Sequence, residues 1–397
     1  MNYRYIFFLL IGLDAAILFF ETSHISISYN EAKLLYGDFS ILQYITHLSL
    51  KIFGNNDFGL RFIMVVLHLL SDVLIYLLSA YYVKSQRNRL WILFIFILLP
   101  GVVSSALIVN HAGVVIFGLL LYVYLDKKLS INYTNILLLI FALIDPGFAY
   151  LFLGLVVYSL FEKNKIFFVY NTLLYALNIY IYGFHIQGVP SGHFLDTMGV
   201  YSAIFTPIIF IYLVYVLYRK FLSDEIDKLW YISSTVLFIS MMLSFRQRIE
   251  IEVFAPYLII ALPLAGETFA SSYRVRLKEH RKKYRLIFII SVLFLLLNTL
   301  IVFFNKELYI FLENPKKHFA YNMHVAKELA KELKSQNIDC VSTNKKMQLR
   351  LKFYNIEKCE QFKLKELPLR SKQTTNVTIR YSNKIIYKAH VTKINNI

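Results

Sequence analysis

Long runs of Leu, Ile, Phe, Val and Tyr separated by short polar stretches fill the chain up to Phe304, in the pattern expected of membrane-crossing helices. Apolar segments fall near 4–20, 59–83, 90–108, 112–126, 135–146, 147–162, 166–183, 200–218, 229–245, 253–271 and 285–304. The stretch 135–162 needs a decision. As one helix at ~1.5 Å per residue it would run roughly 40 Å, and as two, each half falls short of the ~30 Å hydrocarbon core. Asp145-Pro146-Gly147 supplies a break, so we read a short hairpin turning there, which gives eleven apolar segments. The first run has Arg4 before it, Asp14 in its middle and no small-residue cleavage site behind it, and is read as a retained span, not a removed signal peptide.

Beyond Phe304 the pattern changes. The chain becomes polar and Lys-rich, with a helical pattern at Val325 to Leu333, a strand-like Ile338 to Thr343, a second helical pattern at Gln348 to Tyr354, and alternating segments at Val377 to Tyr381 and Ile385 to Ala389. This order predicts one small soluble α/β module. The expected organisation is therefore a helical, polytopic membrane domain over 1–305, with a first outer loop at 21–58, followed by a soluble module over 306–397.

Composition agrees: 57% of residues are hydrophobic, 17% aromatic and only 17% charged. The formal net charge of +17 raises nucleic acid as a partner, but its placement argues against that. Arg274, Arg276, Lys278, Arg281, Lys282, Lys283 and Arg285 crowd one loop between two apolar runs, and Lys84, Arg87, Arg89, Lys127, Lys128, Lys163, Lys165, Arg219 and Lys220 occupy other inter-span loops. With Met1 to Arg4 inside, every one of these loops is cytoplasmic, as the positive-inside rule requires. Such loops also attract anionic lipid. Parity puts the C-terminal module outside, in the periplasm of a Gram-negative cell, with the protein in the inner membrane. The two cysteines, Cys340 and Cys359, both lie in that module. An outside location permits a disulfide, and two unpaired thiols in a small core is the alternative.

The first outer loop carries the most informative residues. It reads Tyr29-Asn30-Glu31-Ala32-Lys33, then an amphipathic stretch, then Phe53-Gly54-Asn55-Asn56-Asp57-Phe58-Gly59-Leu60-Arg61-Phe62. This order resembles the GT-C superfamily of polyprenyl-phosphate-sugar-dependent membrane glycosyltransferases, in the branch of the aminoarabinose transferases and protein O-mannosyltransferases. There an Asp-Glu pair follows the first span and a Phe-Gly-x-x-x-Phe-Gly-x-Arg element precedes the second. The second element is intact, with Gly54, Phe58, Gly59 and Arg61 as its signature residues, whereas Asn30 stands at the position of the Asp. In the tail, Leu349-Arg350-Leu351-Lys352-Phe353-Tyr354 is similar to the Leu-x-Phe-Tyr ending of a helix in the extracytoplasmic module of such proteins.

The resemblance implies sugar transfer from a polyprenyl-phosphate donor to an envelope lipid, glycan or protein acceptor at the outer membrane face. That chemistry needs a base for the acceptor hydroxyl and positive charge for the departing phosphate. The outer side offers Glu21, Glu31, Asp38, Asp57, Asp145, Asp196, Glu250 and Glu252 as carboxylates. The resemblance places Glu31 as base or ligand to a divalent cation, and Asn30, which cannot accept a proton, as a group orienting the acceptor. A residue that merely caps or flanks an interfacial helix is the alternative for Glu31. His111, in the second outer loop, is a candidate acid/base group or metal ligand, or else a polar residue at a helix end. Arg246 and Arg248, before a Pro-containing span, are candidates for gripping the donor phosphate, or else partners of Glu250 and Glu252. Intramembrane Asp14 and Asp72 should face the bundle interior.

No Walker A loop, Gly-x-Gly-x-x-Gly unit, Cys/His zinc spacing, Gly-x-Ser-x-Gly elbow or inverted repeat is present. ATP-driven transport and nucleotide-sugar transfer by a cytoplasmic Rossmann unit are thereby disfavoured. Two non-enzymatic readings stay beside the glycosyltransferase: a transporter or flippase for lipid-linked sugars, and a non-catalytic envelope scaffold.

Overall fold

The computed structural model describes residues 3–183, 192–223, 226–369, 376–382 and 384–394; Met1 and Asn2, where the inside assignment begins, lie outside them. The helices run α1 (Tyr3–Thr22), α2 (Tyr29–Tyr36), α3 (Ile41–Phe53), α4 (Asp57–Tyr82), α5 (Gln86–Leu98), α6 (Pro100–Leu107), α7 (His111–Asp126), α8 (Ile131–Ile144), α9 (Ala149–Phe161), α10 (Lys165–Tyr182), α11 (Phe194–Phe205), α12 (Pro207–Leu222), α13 (Lys228–Ser244), α14 (Ile251–Ile259), α15 (Leu262–Val275) and α16 (Lys278–Phe303). After them come α17 (Ala326–Ser335), α18 (Lys345–Phe353), β1 (Phe362–Glu366), β2 (Val377–Tyr381) and β3 (Lys384–Lys393). The chain divides into two compact units, one of 1–17 with 64–299 and one of 18–63 with 300–397. Residues 18–63 thus cluster with the C-terminal residues.

In the first unit the apolar segments of the sequence become helices, and three of them are interrupted. Segment 90–108 is α5 and α6 bent by 59°, and segment 200–218 is α11 and α12 bent by 104°. Pro100 and Pro207 open the second piece of each, and the residue before a proline is driven out of the helical region, as Leu99 and Thr206 are. Segment 253–271 carries Pro256 inside α14 and Pro263 at the start of α15. The expected hairpin is present: α8 ends at Ile144, Pro146–Phe148 form a short 3-10 turn, and α9 begins at Ala149. Among the described residues four helices are long and apolar enough to cross a membrane, Tyr3–Thr22, Asp57–Tyr82, Ile251–Val275 and Lys278–Phe303, or six if each bent pair is one span. By length and composition these do not amount to eleven spans; α7, α8, α9 and α13 are apolar but shorter.

Helices α7, α9, α13 and α14 pack around Leu119, Tyr122, Phe152, Ile232 and Tyr257, all fully buried. Gly154 permits the closest approach: a Cβ there would sit 2.9 Å from the Ile232 Cα. Outward, α1 exposes Tyr5, Phe8, Leu9 and Leu13, and α16 exposes Leu286, Ile287, Ile290, Leu293 and Leu297. In water that apolar surface would be costly, whereas lipid tails solvate it.

In the second unit three antiparallel strands stand in the order β1-β3-β2, with Leu364 opposite Val391 and Val377 opposite Ala389. Leu329, Leu333, Val341, Leu351 and Ile356 fill the core beneath them. The expected strand at Ile338 to Thr343 is reduced to two isolated parallel bridges, Cys340 with Glu357 and Ser342 with Lys363. Its neighbours change within two residues, Glu357 at Cys340 and Lys363 at Ser342, so no continuous ladder forms along it. Cys340 and Cys359 form a disulfide, which settles the alternative left open by the sequence.

Candidate functional site

The candidate residues of the sequence fall in two polar constellations, one in each unit. In the second unit, the Asn30-Glu31 pair opens α2, where Ser28 is the N-cap. The Ser28 Oγ accepts from the Glu31 amide at 3.2 Å, and Glu31 Oε2 accepts from the Ser28 amide at 2.8 Å, a reciprocal capping box. Arg61 closes on the same carboxylate, its Nε donating to Oε1 at 3.1 Å and its Nη2 to Oε2 at 2.9 Å. The guanidinium also donates to the carbonyls of Thr22, Ile25 and Ser26. Both Glu31 and Arg61 have no exposed surface. This is a paired, desolvated ion pair that fixes the path of the loop.

The rest of the signature supports that lock. Gly54 ends α3 at φ 86°, a conformation L side chains avoid. The Asn56 side chain accepts from the Gly59 amide at 2.7 Å, the Gly59 carbonyl accepts from Ser49 Oγ at 2.6 Å, and Phe58 packs on Phe53 and Phe62. Asp57 begins α4 and accepts from the Tyr354 hydroxyl at 2.6 Å and Lys327 Nζ at 2.8 Å. Tyr354 accepts in turn from the Ile27 amide, and Arg350 donates to the Ile27 carbonyl at 3.0 Å. Burial, reinforced by Asp57, pushes the Tyr354 phenol pKa up, and burial pulls Arg350 down to about 10. The Leu-x-Phe-Tyr ending of α18 therefore clasps loop 21–58 at Ile27 and Asp57.

This geometry changes the expectation for Glu31. With both oxygens engaged and no surface exposed, its carboxylate offers no opening to an acceptor hydroxyl or a cation. Asn30, at the position of the resemblance's Asp, is exposed beside it.

The first unit holds the second constellation, at the start of α7. Asn110 caps that helix, accepting from the Gly113 amide at 3.0 Å, and this presents His111 at the first helical position. His111 Nδ1 lies 2.6 Å from Asp145 Oδ2. The His111 side chain is 38% exposed while that of Asp145 is 2% exposed, so the imidazole has an open edge and a buried carboxylate behind it. Asp145 is held in turn: its Oδ1 accepts from the Gly147 amide at 2.8 Å, and its carbonyl accepts from Asn178 Nδ2 at 3.1 Å. Tyr257 donates to the Gly147 carbonyl at 2.7 Å and ties α14 to the same turn.

Since a carboxylate only accepts, Asp145 fixes the His111 proton on Nδ1 and leaves Nε2 as a proton acceptor. Arg246 and Arg248 are exposed in the stretch between α13 and α14. Asp145 counted in the sequence only as one of several outer carboxylates and as a turn residue. Its Asp-Pro-Gly setting was visible, but the partner 34 positions away was not.

This membrane-type helical fold is similar to the apo-state crystal structure of ArnT from Cupriavidus metallidurans, with a TM-score of 0.53 and 12% sequence identity, over 89% of this chain and 85% of that one. The likeness shows that the two chains share a fold. No protein-family model matches the chain, and no curated protein matches it.

Proposed function

We propose that the protein is a membrane glycosyltransferase that moves a sugar from a polyprenyl-phosphate donor to an envelope lipid, glycan or protein acceptor on the outer face of the inner membrane, with His111 as its base. The observation that carries the reading is the His111–Asp145 pair at 2.6 Å, a half-open imidazole backed by a buried carboxylate at the outer end of α7. The acceptor hydroxyl gives its proton to His111 Nε2 as its oxygen attacks the anomeric carbon. The bond from that carbon to the phosphate oxygen breaks on the opposite face, and polyprenyl phosphate leaves. Asp145 stabilises the imidazolium that forms. Arg246 and Arg248 supply positive charge to the leaving phosphate. In the second unit, Glu31 with Arg61 holds the loop that carries Asn30.

Sidedness is supported by the second unit. Loop 21–58 follows one span from the N-terminus, and it packs with residues 300–397 into one compact body, so both lie on the same side of the membrane. The chain between them then crosses an even number of times. With the eleven apolar segments read from the sequence, a single span at 135–162 would break that parity, whereas the hairpin at Asp145-Pro146-Gly147 keeps it.

The test is turnover of reconstituted protein with a polyprenyl-phosphate-linked sugar. His111→Gln should lower turnover by roughly 10²- to 10⁴-fold with donor binding retained, and Arg248→Ala should weaken donor binding as well. Turnover of His111→Gln equal to wild type would remove the base from this position.

A further inference from the structure

Midway along α1 and α4, far from either helix end, lie Asp14, His68 and Asp72. Their exposures are 5%, 6% and 0%, in helices whose other residues are almost all apolar. His68 and Asp72 are one turn apart on α4, and Asp14 reaches them from α1. His68 Nε2 stands 2.8 Å from Asp14 Oδ2 and 3.7 Å from Asp72 Oδ2, and one donor atom from each residue lies within 4.8 Å of the other two. Neither oxygen of Asp72 accepts a hydrogen bond, although both are buried. An unsatisfied carboxylate in an apolar interior is costly unless a proton or a cation joins it.

We propose that Asp14, His68 and Asp72 form a binding site for one divalent cation of the Zn²⁺ class, pinning α1 to α4. This is independent of the transferase reading. Three features carry it. The donor set of one imidazole nitrogen and two carboxylate oxygens suits Zn²⁺ and similar first-row cations. A tetrahedral site with bonds of ~2.0–2.1 Å has ligand–ligand edges of about 3.3 Å, midway between the two distances seen at His68 Nε2. Two carboxylates and a neutral imidazole also balance a +2 ion to zero net charge, which a monovalent ion would not do in this apolar setting. The cation would give the stranded Asp72 carboxylate its partner.

The experiment uses the full chain in detergent, stripped with chelator and reloaded with Co²⁺ or Zn²⁺. Wild-type protein should take up one equivalent, show the intense visible bands of tetrahedral Co²⁺, and melt several degrees higher with Zn²⁺. Asp72→Asn, which keeps the shape of the side chain, should bind at least tenfold more weakly and lose the thermal shift, and His68→Gln should lose the bands. His111→Ala should keep all three signals, because that imidazole is not a ligand. Wild-type protein that takes up no cobalt, or shows only the faint spectrum of octahedral Co²⁺, would overturn the site and leave protons as the partners of the cluster. Bands that survive Asp72→Asn and His68→Gln but vanish in His111→Ala would overturn it as well.

Discussion

At the scale of single residues, the buried Glu31–Arg61 pair separates anchoring from chemistry. Removing one partner strands the other charge without solvent, a cost of about 3–5 kcal/mol. Glu31→Gln and Arg61→Met should therefore each loosen loop 21–58, seen as faster amide exchange across α2 and α3, while Glu31→Leu with Arg61→Met should recover part of the loss. An unchanged exchange pattern in Glu31→Gln would show that the carboxylate does not hold the loop.

His324 offers a test by pH. Burial first, then the nearby positive groups Lys306, His318 and Arg350, pulls its pKa down from 6.5 to about 3. The unfolded chain protonates this histidine below pH 6.5 while the folded one stays neutral until about 3. Its contribution to stability is thus complete above 6.5 and lost as the pH falls toward 3. Thermal melts between pH 7.5 and 4 should show the decline, and His324→Phe should flatten it.

At the scale of elements, prolines decide where apolar segments break, and the sequence shows the prolines more plainly than the angles. Segment 200–218 read as one run, yet Thr206, forced out of the helix by Pro207, sits at φ 64° and ψ 146°, a region that suits only glycine. Its buried hydroxyl also finds no partner. Thr206→Gly should therefore raise stability, by up to roughly 1–3 kcal/mol if the strain is wholly relieved, read as a higher melting temperature. A lower melting temperature would mean that the bend is not strained.

Other elements show the same limit on what periodicity reveals. β2 was legible at Val377 to Tyr381 because its alternation is strong. β1 was not singled out, since Phe362-Lys363-Leu364-Lys365-Glu366 buries only Leu364 and reads as a charged loop. The signature of the first loop was legible because glycine and phenylalanine at fixed spacing announce a tight turn. The pairing of His111 with Asp145 and the approach of Asp14 to His68 were hidden, since both depend on contacts between segments far apart in sequence.

At the scale of the whole molecule, the second unit joins loop 21–58 to the C-terminal residues, and that ties the fold to topology. Reporters inserted in loop 21–58 and fused after Asn305 should both be active outside; opposite sides would contradict the packing of Tyr354 against Asp57. The central claim is transfer at the outer face with His111 as base. It is tested most directly by release of polyprenyl phosphate from a panel of polyprenyl-phosphate-linked pentoses and hexoses, supplied with envelope lipid, glycan and protein acceptors in proteoliposomes. Wild-type protein should release polyprenyl phosphate in step with glycosylated acceptor, and His111→Gln should bind donor but release it at least a hundredfold more slowly. Donor moved between leaflets with no polyprenyl phosphate released, equally in both proteins, would contradict the claim and make the protein a transporter.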